Sequence, residues 1–163
     1  MSIDEVKRKF PSTPLLGVGA LVIRNREVLL VKRGYPPGKG LWSIPGGLVN
    51  VGEKLDEAVL RELYEETGVK GSDPKLLAIT EIIIWSSNRV KYHYIVLDFL
   101  VKPLTRDVIA GGDVVEARFF DIREALRSLK LTPGTKKLLG YVVSVEDIWS
   151  IPSPLLISIT RTE

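Results

Sequence analysis

The chain alternates apolar runs with short polar breaks. "LLGVGALVIRN" (15–25) and "EVLLVKRG" (27–34) flank a polar turn at Asn25-Arg26, which predicts a β-hairpin. The prolines and glycines of "YPPGKG" (35–40) predict a loop, and "LWSIPGGLVNVGE" (41–53) predicts mostly extended backbone around Pro45-Gly46-Gly47. Residues 54–67 carry a helical repeat, closed by Gly68. "KLLAITEIIIW" (75–85) and "KYHYIVLDFLV" (91–101) are rich in β-branched and aromatic residues and predict two strands, turned at "WSSNR". A short strand is expected at 117–121, an amphipathic helix at 121–130 and a further helix from Pro133. The tail, "IWSIPSPLLISITRTE", is apolar with two prolines; it either closes the core or packs on a second subunit. There is no internal repeat.

The helix at 54–67 raises the chemical question. At 100° per residue, Glu62, Glu65 and Glu66 stand at i, i+3 and i+4 and fall on one arc, which Ala58 shares. Val59, Leu60 and Leu63 lie on the neighbouring arc and can face a core. Like charges so spaced weaken a helix by about 0.2–0.5 kcal/mol per pair. Either a solvated face or a bound cation offsets this. Arg61 stands four residues after Glu57 and four before Glu65, within pairing reach of both.

Composition sharpens the choice. Residues 53–66 hold six acids and two bases, net −4, whereas the rest holds 21 bases and 14 acids, net +7. An acidic island in a basic chain suits a cation site beside an anionic substrate. The absence of cysteine excludes disulfides, thiolate metal sites and a cysteine nucleophile. His93 is the one histidine and lies far along the chain, so zinc is disfavoured and a hard cation, Mg²⁺ or Mn²⁺, is expected on carboxylates. The chain carries no glutamine, three asparagines and one methionine, a composition that points toward a heat-adapted source. The 163 residues suit a single domain spanning 1–163. No run approaches the ~18 apolar residues of a membrane helix. The charged start "MSIDEVKRKFPSTP" has no apolar signal core, so a cytoplasmic protein without membrane contact is expected. No basic stripe supports nucleic-acid binding as the main role.

Gly46-Gly47 sits just before the glutamates, where glycine lets backbone approach a ligand closely. From here the pattern is specific. "GLVNVGEKLDEAVLRELYEETGV" (47–69) resembles the signature of the Nudix hydrolases. Gly47, Glu53, Arg61, Glu62, Leu63, Glu65, Glu66, Gly68 and Val69 fill each specified position, and the preceding "GLWSIPGG" is similar to the usual lead-in. The resemblance covers most of 15–130. It implies an α/β fold, an α/β/α sandwich on a mixed sheet with a loop–helix–loop motif, that cleaves a diphosphate linked to another moiety. It further implies that Glu62, Glu65 and Glu66 bind metal, with the Gly47 carbonyl as a further ligand. Glu53 binds metal or pairs with Arg61, and Arg61 orients the glutamates.

The general base is expected among these glutamates, or at Asp113 or Glu116 in "GGDVVEARFF". Arg33, Lys39 and Arg89 flank the expected site and are candidates for phosphate contact. Tyr35, Trp42, Phe119 and Phe120 are candidates for stacking a base, each with a core role as the alternative. His93 is expected as a hydrogen-bonded strand residue. The substrate class closest to the pattern is ADP-ribose or a similar nucleotide sugar, although "TEIIIWSS" lacks the proline usual in the ADP-ribose branch. A nucleoside triphosphate pyrophosphatase clearing oxidised nucleotides and a catalytically inactive nucleotide-binding regulator are the alternatives. The resemblance and the apolar tail together suggest a homodimer.

Overall fold

The computed structural model describes residues 7–152 and 154–163, so the start of the N-terminal segment and Ser153 in the tail lie outside the described residues. The expected hairpin is β1 (Leu15–Arg24) and β2 (Glu27–Arg33), turned at Asn25 with φ of 57°. Two short strands follow, β3 (Trp42–Ser43) and β4 (Gly46–Leu48), and then helix α1 (Leu55–Thr67). Gly68 ends α1 with φ of 70°, and its N–H donates to the Tyr64 carbonyl. The long antiparallel pair β5 (Gly71–Ser86) and β6 (Arg89–Pro103) extends beyond the predicted limits at both ends. Then come β7 (Val114–Asp121), α2 (Ile122–Ser128), α3 (Pro133–Val142), a 3-10 turn at Ile148–Ser150 and β8 (Leu155–Thr162). Asp121 and Thr132 accept hydrogen bonds from Glu124 N and Thr135 N, so a side-chain oxygen caps the start of both α2 and α3.

The strands form one mixed sheet in the order β3-β2-β1-β6-β5-β8, with β4 beside β1 and β7 beside β2. The pairs β1–β6 and β5–β8 are parallel; the others are antiparallel. The tail is therefore a strand of its own chain's sheet. Ile157 is buried by it, while Leu156 on the opposite face is exposed. This accounts for much of the tail's apolar character without a second subunit.

Period-2 alternation in β1 divides the molecule. Val18, Ala20 and Val22 face α1 and pack with Ala58, Val59, Leu63, Phe99 and Val101. Gly17, Gly19 and Leu21 point the other way. Leu21 joins Leu30, Trp42, Leu100, Leu138 and Leu139 in a core under α2 and α3, while the two glycines line an open space beside it. Ala58 thus belongs to the core and not to the carboxylate arc. Leu63 has no exposed surface, so Leu63→Ala is expected to lower stability by about 2–5 kcal/mol in chemical denaturation. No helix among the described residues is long and apolar enough to cross a membrane.

Candidate active site

The open space is a cleft of about 700 Å³. Its floor is the face of the sheet carrying Gly17, Gly19, Ile82, Tyr94, Val96 and Asp98. One wall is the Gly46–Leu48 strand with Glu62, Glu65 and Glu66 of α1; the other is the start of α3 with Ser43 and Ile44. Gly34, Tyr35 and Asp113 also line it.

Gly47 shows why the motif opens with glycine. A Cβ there would collide with the Glu62 carboxyl, which lies directly against the Gly47 backbone. Glu62 is mostly buried and Glu65 about half exposed. The Gly46 N–H donates to Glu66 Oε2 at 3.0 Å. Glu62 and Glu66 therefore face β4 across a narrow gap, while Glu65 stands at its open edge.

Arg61 holds this arrangement. Its Nε and Nη2 donate to the two Glu53 oxygens at 2.6 and 3.0 Å. Nη1 donates to Glu62 at 2.7 Å and Glu65 at 3.1 Å, and Nη2 also reaches the Leu48 carbonyl at 3.1 Å. Of the two readings for Glu53, the one seen is pairing with Arg61. Glu57, offered by helical spacing, instead accepts from Lys54 N at the helix start. The electrostatics follow. The Arg61 hydrogen bond, aided by the Asn50 N–H, draws the Glu53 carboxyl down to about 2. Burial pushes Glu62 up against the opposing pull of Arg61. Burial also pushes Glu66 up, to about 8, with the Gly46 N–H opposing and Glu62 adding to the rise. Negative charge is thus held in a partly dry place with one arginine shared among three glutamates.

Of the remaining candidates, the structure brings Arg33 and Asp113 to the cleft. Arg33 donates to the Pro37 carbonyl at 2.8 Å, and burial lowers its pKa while the Glu66 charge raises it. The loop bearing Asp113 is tied to the end of α1, Gly111 N–H donating to the Glu66 carbonyl at 3.1 Å. Glu116, Lys39 and Arg89 are not brought there. Glu116 projects from β7 and pairs with Lys32 at 3.1 Å. Lys39 is exposed in its loop. Arg89 opens β6, with its guanidinium 4.3 Å from the centre of the Phe10 ring. Of the four candidate aromatics Tyr35 is the one that lines the cleft. Trp42 packs edge-on to Phe120 at 4.8 Å, and Arg24 covers Phe119. His93 is out of register with Tyr94 and Asp98, on the other sheet face, so the expected hydrogen bond is not seen: its Nε2 is buried with no partner among the described residues.

Sequence reasoning missed Arg8, Ser43, Thr80, Tyr94, Asp98, Thr135 and Arg161, all of which line the cleft. Asp98 did leave a signal, as a lone acid inside the apolar run "YIVLDFLV".

The NUDIX domain family matches residues 13–141. An ADP-ribose pyrophosphatase of Methanocaldococcus jannaschii is 34% identical over 109 residues, 67% of this chain and 63% of its own length. A putative 8-oxo-dGTP diphosphatase of Bacillus subtilis is 49% identical over 53 residues, 31% of this chain and 34% of its own. The chain thus spans less than two thirds of either relative. The crystal structure of a MutT NUDIX hydrolase from Burkholderia pseudomallei superposes with a TM-score of 0.72 at 26% identity, covering 80% of this chain and 99% of that one. With the family match extending over most of its length, and the sheet, α1 and the Gly47–Val69 motif all in place, the chain belongs to the Nudix family.

Proposed function

We propose that the protein hydrolyses the pyrophosphate bond of a nucleoside diphosphate joined to a second moiety, with ADP-ribose as the substrate. The observation that carries this reading is the meeting, in one cleft, of the α1 carboxylates with the guanidinium groups of Arg8 and Arg33. The first group needs a cation; the second suits phosphate oxygens. The name of the archaeal relative supports the choice of ADP-ribose.

The family implies a divalent metal, and the donors here fit one in kind: carboxylates at Glu62, Glu65 and Glu66, and the backbone oxygen of Gly47, with no sulfur. Among the described residues no three acids converge as a ready-made cage, because Arg61 Nη1 sits between Glu62 and Glu65. Those donor residues would hold Mg²⁺ or Mn²⁺, which would supply charge neutralisation for the diphosphate and acidification of a water. The chain's own residues do the rest. Arg33 and Arg8 hold phosphate oxygens, Arg61 orients Glu62 and Glu65, and Glu62, Glu65, Glu66 and Asp113 are the carboxylates within the cleft able to take the water's proton. Glu116 is not given that role, because it lies outside the cleft lining and pairs with Lys32.

A substrate panel with Mg²⁺ tests this. ADP-ribose should yield AMP and ribose 5-phosphate, and exhaustive chelation should remove turnover. Full activity after metal removal would defeat the mechanism. If oxidised or ordinary dNTPs were cleaved at least about tenfold more efficiently, a difference of ~1.4 kcal/mol at the transition state, the nucleotide-clearing reading would replace this one. The resemblance of a short stretch to the 8-oxo-dGTP diphosphatase is what favours that second reading. No turnover on any arm would leave the regulator. Light scattering decides the homodimer, and one chain mass across micromolar concentrations would dismiss it.

A further inference from the structure

Five polar or charged residues are buried among the described residues: Ser43, Thr67, Thr80, Asp98 and Thr135. All but Thr67 line the cleft. They gather where its floor runs into the core, since the next residue inward on the same face of β6 is Leu100. Buried polar groups are normally satisfied within the fold, because each unmet one costs about 1–3 kcal/mol. Thr135 is satisfied, accepting from Ile44 N at 3.3 Å and from Thr132 Oγ1 at 2.9 Å. Two are not.

Asp98 is 5% exposed, and the Thr80 hydroxyl, donating to Oδ2 at 2.6 Å, is the single hydrogen bond it receives among the described residues. A carboxyl offers about four acceptor positions. Among the described residues no counter-charge offsets its burial, which pushes its pKa up to about 7 against the opposing Thr80 bond. The surrounding chain is shaped to admit it: a Cβ on Gly19 would collide with Asp98 Oδ1 and crowd Ile44 Cδ1 at 2.9 Å. Ser43 is nearly as buried, and its Oγ has no partner among the described residues. Around these two groups the cleft is aliphatic, from Ile44, Ile82, Val96, Leu138 and Ile159. A flat apolar ring with a polar edge is the kind of body that satisfies such a slot.

We propose that Asp98 and Ser43 read the edge of the substrate's nucleobase, Asp98 accepting from an exocyclic amino group and the Ser43 hydroxyl donating to a ring nitrogen. This rests on the reading of the cleft as a nucleotide site and adds which base it selects. Adenine presents that amine beside an acceptor nitrogen. Hypoxanthine presents an oxygen and an N–H in the opposite order, and leaves the buried carboxyl facing another acceptor. Thr80 is a positioning residue that fixes the carboxyl plane.

The test compares substrates differing only at the base. Wild-type kcat/KM for ADP-ribose should exceed that for hypoxanthine diphosphate ribose by at least about tenfold, the kind of discrimination a site built to bond a substrate N–H achieves. In Asp98→Ala the ratio should fall to within about twofold, chiefly through KM for the adenine substrate. Ser43→Ala should lower it less. Competitive inhibition of the unaltered protein removes dependence on variant folding: AMP should bind at least about tenfold more tightly than both IMP and purine riboside 5′-monophosphate, which lacks the amine. Equal inhibition by the three, or an unchanged ratio in a folded Asp98→Ala protein, overturns the proposal. If triphosphates prove the better substrates, the same ratio read on dATP against dITP separates failure of the ADP-ribose reading from failure of base reading.

Discussion

Glu66→Gln should lower kcat by roughly 10²–10³-fold, the scale of losing one aligned electrostatic group, while leaving the fold intact. The amide oxygen still accepts from the Gly46 N–H, so the local geometry survives. What disappears is a buried carboxyl that can ionise. The two consequences carry opposite signs. The pKa of Glu66, raised by burial to about 8, means its contribution to stability is fully present below its ordinary value and is lost as pH rises through about 8. In metal-free buffer, wild-type Tm should therefore fall between pH 5 and 9 by more than that of Glu66→Gln. A variant that keeps near-wild-type turnover would remove Glu66 from the site. A variant with a steeper loss of Tm toward alkaline pH would contradict the buried-charge account.

Arg61 should be as sensitive, for a different reason. It alone bridges the Asn50–Glu53 turn, the Leu48 carbonyl and two glutamates of α1. Arg61→Met should reduce kcat by about a hundredfold or more, since Glu62 and Glu65 lose the donor that aims them. Arg61→Lys should rescue little, because an ammonium cannot make the bidentate contact to Glu53 while also reaching Glu62 and Leu48. Substrate KM should move less than kcat in both variants, as Arg61 points at carboxylates. A lysine variant with full activity would show that charge, and not the guanidinium fork, is what the site needs. Lower Tm with normal kcat would reduce Arg61 to a structural brace.

What the sequence could and could not reveal follows from the range of the interactions. Glu62, Glu65 and Glu66 share a helix, so their proximity is set by spacing alone, and the glycines before them stand at a fixed distance along the same local segment. Arg61 shows the limit even there. Helical arithmetic offered Glu57, yet Glu53 won because the loop folds back over the helix. Ala58 was placed with the carboxylates because spacing gives an arc but not what the arc faces. Beyond the helix, strand register decides. Asp98 stands opposite Ala78 and near Thr80 only because β6 and β5 pair with an irregularity between Leu76 and Ala78. Glu116 looked as good a base candidate as Asp113 three residues earlier. The difference is that Gly111 anchors the loop to α1, whereas Glu116 already belongs to β7 and meets Lys32 across the ladder.

The pairing of β8 with β5 bears on how the molecule assembles. Leu155 stands beside Ala78, a separation of 77 residues, and the two strands run parallel. Loop closure over such a span is slow compared with forming the β5–β6 hairpin. A refolding chain is therefore expected to pass through a stage in which β5 is paired on one side and bare on the other. That outer edge carries the near-continuous apolar run Ile82-Ile83-Ile84-Trp85, a ready template for another chain's strand. Glu81, at the head of the run, is the acidic residue that interrupts it. Yield on refolding should accordingly decline with protein concentration before any loss of the native state's own stability is seen.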